Sequence, residues 1–156
     1  MILPILKFPD NRLRLTNSEV TDFGEPFQKL VDNMEETMVT ANGIGLAAPQ
    51  VGKNIKMFIL GMDGLLVFAN PILSFAGEQV PSKEGCLSFP RSNEWIKRSE
   101  NIQVRAQDRQ GEWFELEATG LLAMAIQHEY DHLNGVLLID KIDSIRQRFL
   151  RKKIRS

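Results

Sequence analysis

The sequence predicts an α+β fold, a single domain over residues 1–156, with short antiparallel strands in small sheets packed around a central helix. Three observations predict it. Two stretches carry apolar residues at helical spacing, several short apolar runs are bounded by turn residues, and one hairpin alternates apolar with polar positions. No linker, repeat or low-complexity stretch divides the 156 residues. A chain of this length can bury about 70% of its unfolded surface in one core.

In chain order, Met1-Ile2-Leu3-Pro4-Ile5-Leu6-Lys7 is apolar but broken by proline and charge, so it reads as neither a signal peptide nor a membrane span. Pro26 suits the first turn of a helix in which Phe27, Leu30, Val31, Met34 and Met38 form one stripe. Gly43-Ile44-Gly45-Leu46-Ala47-Ala48-Pro49-Gln50 reads as a loop whose alternate glycines serve positive φ or close backbone approach. It lacks the Gly-Lys-Ser/Thr ending of a phosphate loop. Met57 to Leu60 and Leu65 to Ala69 are short buried strands flanking a turn at Met62-Asp63-Gly64. Ile102, Val104 and Ala106 alternate with polar residues, and Asp108-Arg109-Gln110-Gly111 turns the chain into Phe114, Leu116 and Ala118. The central helix follows. Thr119 is its N-cap and Gly135 its stop, with Leu121, Ala125, His128 and His132 on one inward-facing stripe.

Residues 140–156 form a short basic C-terminal helix or tail, with Ile142, Ile145, Phe149 and Leu150 apolar and Arg146, Arg148, Arg151, Lys152, Lys153 and Arg155 polar. Its charge fits a solvated helix end, with cations at the negative pole of the dipole, or a transient contact with RNA such as the ribosome. The chain as a whole is balanced, 19 basic against 20 acidic residues, which gives no support for a broad DNA-binding surface. One cysteine cannot form an internal disulfide and suits a reducing, cytoplasmic setting.

The chemistry concentrates in two short segments. The only histidines, His128 and His132, lie four apart in Gln127-His128-Glu129-Tyr130-Asp131-His132, and the only cysteine lies in Glu84-Gly85-Cys86-Leu87-Ser88. Four-residue spacing stacks both imidazoles on one helix face, one turn apart, where they can converge on one ion. The Cys86 thiolate makes a third ligand. Three ligands leave a fourth position open, as catalytic metal centres do. Ligand type suits zinc, iron(II), cobalt or nickel. Such an ion lowers the pKa of bound water towards about 7, and Glu129 is placed to handle that water's proton.

Taken together and in that order, the Gly43 to Gln50, Glu84 to Ser88 and Gln127 to His132 segments closely resemble the three signature motifs of peptide deformylases. The resemblance extends to Phe8-Pro9-Asp10 with Leu13-Arg14, to Met34-Glu35-Glu36-Thr37-Met38 and to Asn70-Pro71. It implies one divalent metal per chain, iron(II) natively with zinc, nickel or cobalt as substitutes, and hydrolytic removal of the formyl group from formylmethionyl peptides and nascent chains. It implies that the Gln50 amide and the Leu87 backbone N–H bind the oxyanion. A slot of Ile44, Leu121, Met124 and Ala125 would take the methionine side chain, while backbone around Gly43, Ile44, Gly45 and Gly85 pairs with the extended peptide. Glu84 and Arg98 match the pair that orients a ligating histidine, and a monomer is expected.

Two departures stand out. Many relatives have a longer C-terminal helix, and many have an arginine at the pocket rim where this chain has Asn93. A carboxylate further along the peptide is then expected to gain little, unless Arg91 or Lys97 takes over. Two rival readings follow from the same residues. One is a zinc metalloprotease with Asp140 or Asp143 as third ligand, in which Cys86 is dispensable. The other is a catalytically idle ribosome-associated module working through the basic tail.

Overall fold

The computed structural model describes residues 1–155. Ser156 lies outside it, as do the side chains of residues 153–155, among them Lys153 and Arg155 of the basic tail. Three helices, α1 (Glu25–Thr40), α2 (Gly120–Leu133) and α3 (Ser144–Arg155), accompany five strands: β1 (Gly45–Ala47), β2 (Met57–Gly61), β3 (Leu65–Cys86), β4 (Phe89–Gln107) and β5 (Trp113–Thr119). The strands form one antiparallel sheet in the order β1-β2-β3-β4-β5.

The expectation of short strands in small sheets is corrected here. β3 and β4 run to 22 and 19 residues within a single sheet. The strand expected over Leu65 to Ala69 continues instead to Cys86, because the ladder absorbs Asn70-Pro71, Gly77 and Gly85 as register shifts, between Ala69 and Ile72, Ala76 and Gln79, and Glu84 and Cys86. Bulges bend a strand without ending it. The near half of β3 can therefore pair with β2 while its far end delivers Cys86 to the site.

Successive residues of a strand point to opposite faces, and β2 is buried on both. Met57 and Ile59 join Val31, Met34 and Met38 of α1 in one core cluster, whereas Phe58 and Leu60 join α2 in another. The α1 stripe is as the spacing predicts, with Leu30 only partly buried at its edge. The β4–β5 hairpin also matches: Ile102, Val104 and Ala106 are buried, and Gly111 takes φ +85 in the turn.

Helix α2 presents two adjacent stripes. Ala123, Ile126, Tyr130 and Leu133, at steps of three and four, pack on the sheet beside Phe68, Ile102 and Val104. Burying Ile126 completely contributes about 1.5–3 kcal/mol. The neighbouring stripe, Ala125, His128 and His132, is also buried. Thr119 occupies the N-cap but makes no side-chain cap hydrogen bond, and Gly135 ends the segment at φ +70.

A third cluster joins the two ends of the chain. Leu6 and Leu13 pack with Phe89, Ile96, Leu137, Leu138, Ile139, Ile142 and Leu150. α3 docks through Leu150, which is 1% exposed, so the predicted apolar face is only half used: Ile145 is 80% exposed and Phe149 55%. Arg146 turns inward to bond Glu94 instead of joining a uniformly solvated basic face. No helix among the described residues is long and apolar enough to cross a membrane.

Candidate active site

Two elements bring the ligand candidates together: the far end of β3, which carries Cys86, and α2, which carries both histidines. Ligand atoms of Cys86, His128 and His132 all lie within 4.8 Å of one another. Cys86 Sγ is 3.4 Å from His132 Nε2. Tetrahedral coordination with bonds of roughly 2.3 Å to sulfur and 2.0 Å to nitrogen puts ligand atoms about 3.5 Å apart, so the spacing fits a metal of that size. The two imidazole centroids are 5.3 Å apart.

The surroundings fit the same reading. His128 Nδ1 is 2.8 Å from Glu84 Oε1, which leaves Nε2 for an ion. Arg98 donates to both Glu84 oxygens, at 3.0 and 2.9 Å, and Ser82 Oγ donates to Oε2 at 2.7 Å. Burial works against the Glu84 charge, but these hydrogen bonds from His128 and Arg98 outweigh it and hold the carboxyl down at about 2. A charged carboxylate behind a ligating imidazole fixes its orientation and raises its basicity. Burial alone would lower His128, yet the neighbouring Cys86 and Glu84 reverse that and raise it well above the ordinary value. His132 is driven well below, by burial first and then by the charge of His128. A site that concentrates negative potential on a buried imidazole favours a cation. Two buried atoms lack any partner among the described residues, His132 Nδ1 and Glu129 Oε1. Glu129 is pushed up to about 7, chiefly by burial.

Gln50 reaches the cluster from the short 3-10 helix Ala48–Val51. Its Oε1 accepts from the Ala47 N–H at 2.9 Å, while Nε2 donates to Ser88 Oγ at 3.0 Å and lies 3.6 Å from Cys86 Sγ. The glycines of the first motif serve close approach, not positive φ. A β-carbon on Gly45 would come within 2.6 Å of Glu129 Oε2, and one on Gly43 within 2.7 Å of Leu87 Cδ1.

A groove of about 530 Å³ opens over the cluster. Every residue proposed from sequence for peptide contact lines it: Gly43, Ile44, Gly45, Gly85, Leu121, Met124 and Ala125, together with Gln50, Cys86, Leu87, His128 and Glu129. Leu121 is 64% exposed, so the inward-facing stripe holds from Ala125 onward and Leu121 stands at the groove's mouth. Asp140 and Asp143 are engaged elsewhere. Arg14 binds Asp140 at 2.8 and 2.9 Å, and Asp143 accepts from the Arg146 N–H. Neither joins the histidines, which removes the structural basis for the metalloprotease reading.

Sequence reasoning missed several supports. Ser88 anchors Gln50, Asp131 takes the remaining reach of Arg98 at 2.5 Å, and Gln127 ties α2 to the Ser99 backbone. The N-terminal segment clamps both site loops, Leu6 N–H to Gln50 O and Phe8 N–H to Ser88 O. The apolar run of residues 1–7 and the resemblance at Phe8-Pro9-Asp10 hinted at it.

Known proteins resemble this chain over almost its whole length. The family described as polypeptide deformylase matches residues 2–148. A peptide deformylase of Thermodesulfovibrio yellowstonii is 44% identical over 161 residues, covering 99% of this chain and 98% of that protein. The crystal structure of a peptide deformylase from Legionella pneumophila superposes with a TM-score of 0.95 at 37% identity, over 99% of this chain and 94% of that one. The Synechococcus elongatus enzyme, solved in complex with actinonin, gives 0.92 at 36% identity, over 97% and 85%. By sequence and by fold, the chain belongs to the polypeptide deformylase family.

Proposed function

We propose that this chain removes the N-formyl group from the N-terminal formylmethionine of newly made polypeptides and releases formate. The convergence of Cys86, His128 and His132 within 4.8 Å under a peptide-sized groove carries the reading. A divalent ion held by these three, natively iron(II) with zinc, nickel or cobalt as substitutes, would supply Lewis acidity and a water of lowered pKa. Glu129 takes the proton of the attacking water and returns it to the leaving amine, a role matched by a carboxyl near 7. Gln50 Nε2 and the Leu87 N–H donate to the oxygen on which charge develops, each contributing about 2.7–4 kcal/mol in the transition state. Gln50 is held for this by Ala47 and Ser88, and its long 3.6 Å contact with Cys86 leaves one N–H free to turn to substrate. Glu84 and Arg98 keep His128 in its ligating orientation.

The methionine side chain enters the slot of Ile44, Leu121, Met124 and Ala125, while backbone of Gly43, Ile44, Gly45 and Gly85 pairs with the extended peptide. Residues 1–156 act as one catalytic domain, monomeric and cytoplasmic, with the exposed Arg148, Arg151 and Lys152 making transient contact with the ribosome that presents nascent chains. The test is formate release from formyl-Met-Ala-Ser by protein loaded anaerobically with iron, against acetyl-Met-Ala-Ser as control. Release from the formyl peptide alone supports the assignment; hydrolysis of neither, in protein with one metal per chain, would overturn it.

A further inference from the structure

The groove's charges are one-sided. Its two carboxylates, Glu84 and Glu129, are buried at the floor, and Glu84 is paired with Arg98 and His128. Its cations, Lys7, Lys83 and Arg91, are all exposed at the rim. Among the described residues none of the three is in an ion pair.

Arg91 is put there by a local distortion. The ladder pairs Glu84 with Glu94 and then Cys86 with Phe89, so the four residues 90–93 of β4 oppose the single Gly85 of β3. Within this bulge Arg91 adopts φ +64, a left-handed conformation that costs a side chain with a β-carbon energy and concentrates at ligand sites. Bulges beside active sites re-aim side chains. Asn93, which is uncharged, sits against Gly85 in the same bulge. Lys97, the other sequence candidate for the rim, lines a separate cavity with Phe75 and Lys141.

Resting on the proposed function, we infer that Arg91, supported by Lys7 and Lys83, selects formyl peptides carrying a carboxylate side chain at the second or third residue. An extended peptide advances about 3.3 Å per residue, so these are the side chains that leave the apolar slot and pass the rim. This reverses the neutrality expected from Asn93.

The test uses metal-loaded protein and carboxamide-capped peptides, which remove the terminal carboxylate: formyl-Met-Ala-Ser-amide and its Asp and Lys variants at positions two and three. Exposed charge contacts are weak and screened, so kcat/KM for Asp should exceed that for Lys by about three- to tenfold at low ionic strength, through KM, and the gap should close in high salt. The Asp-to-Lys ratio is internal to each protein, so overall losses of activity do not obscure it. It should fall to one or below in Arg91→Glu, fall partway in Lys7→Glu, and be kept by Arg91→Lys. A ratio of one in the unaltered protein, or a ratio that Arg91→Glu leaves unchanged, overturns the rim assignment. Absence of formate from the parent peptide overturns the proposed function itself, a different failure.

Discussion

The floor and the rim of the groove are built on opposite plans. At the floor, Glu84, Arg98, His128 and Gln50 are buried; Glu84, Arg98 and Gln50 are each held by two or more partners, and His128 is held by Glu84. At the rim, Ile44, Leu121, Lys7, Lys83 and Arg91 are exposed and hold little beyond themselves. The difference teaches where precision is required. Reacting atoms tolerate little displacement, whereas a peptide's side chains can be read by surfaces that adapt.

The largest effects should follow from breaking the floor at its reacting atoms. Cys86→Ala leaves two imidazoles, too few to hold an ion tightly, and elemental analysis should find metal well below one per chain; full stoichiometry would remove Cys86 from the ligand set. Glu129→Gln is nearly isosteric and should keep both fold and metal. Its turnover should nonetheless drop by about a hundred- to ten-thousandfold, the usual loss when a general acid-base is removed. An active glutamine variant would mean that another group carries the proton.

Arg98 and Arg91 sharpen the comparison, because they are the same residue type in opposite settings. Arg98→Met strips Glu84 of two hydrogen bonds and strands its charge in a buried site, which should cost about 3–5 kcal/mol in a denaturant titration. Arg91→Ala, at an exposed position, should change stability by about 0.5 kcal/mol or less. Equal midpoints for the two variants would show that the buried network is dispensable.

Much of the floor was legible in the sequence because it sits on regular elements. His128 and His132 declare a shared helix face by spacing alone, and Cys86 has no competitor in the chain. The rim was not, since Arg91 depends on a bulge in which four residues oppose one, and no periodicity marks such a distortion. The length of β3 was hidden for the same reason: the apolar run ends at Ala69, whereas the ladder continues past it through two further register shifts. Ser88, Gln127 and Asp131 were overlooked because each acts through a partner distant in sequence, at residues 50, 99 and 98. Of the four apolar residues named in the C-terminal segment, Ile142 and Leu150 are buried at the end of the core while Ile145 and Phe149 stay outside, because composition alone does not show which side docks.

A smaller effect than the loss of Glu129 belongs to the apolar part of the rim, where selection rests on burial alone. Ile44, Leu121, Met124 and Ala125 line one stretch of the groove, and Ile44 and Leu121 are 49% and 64% exposed, which leaves apolar surface for a ligand to cover. Each methylene transferred there contributes about 0.8 kcal/mol. Norleucine matches methionine in length and apolar surface, so formyl-norleucyl peptides should rival formyl-methionyl ones. Formyl-alanyl peptides lose most of the contact and should be poorer by roughly one to two orders of magnitude in kcat/KM. The deficit should be independent of salt, since no charge is involved, in contrast with the response expected of Arg91. Comparing formyl-Met-Ala-Ser with formyl-Ala-Ala-Ser at two ionic strengths separates the two kinds of reading. Equal rates for the pair would dismiss the slot, and a salt-dependent gap would transfer the discrimination from burial to charge.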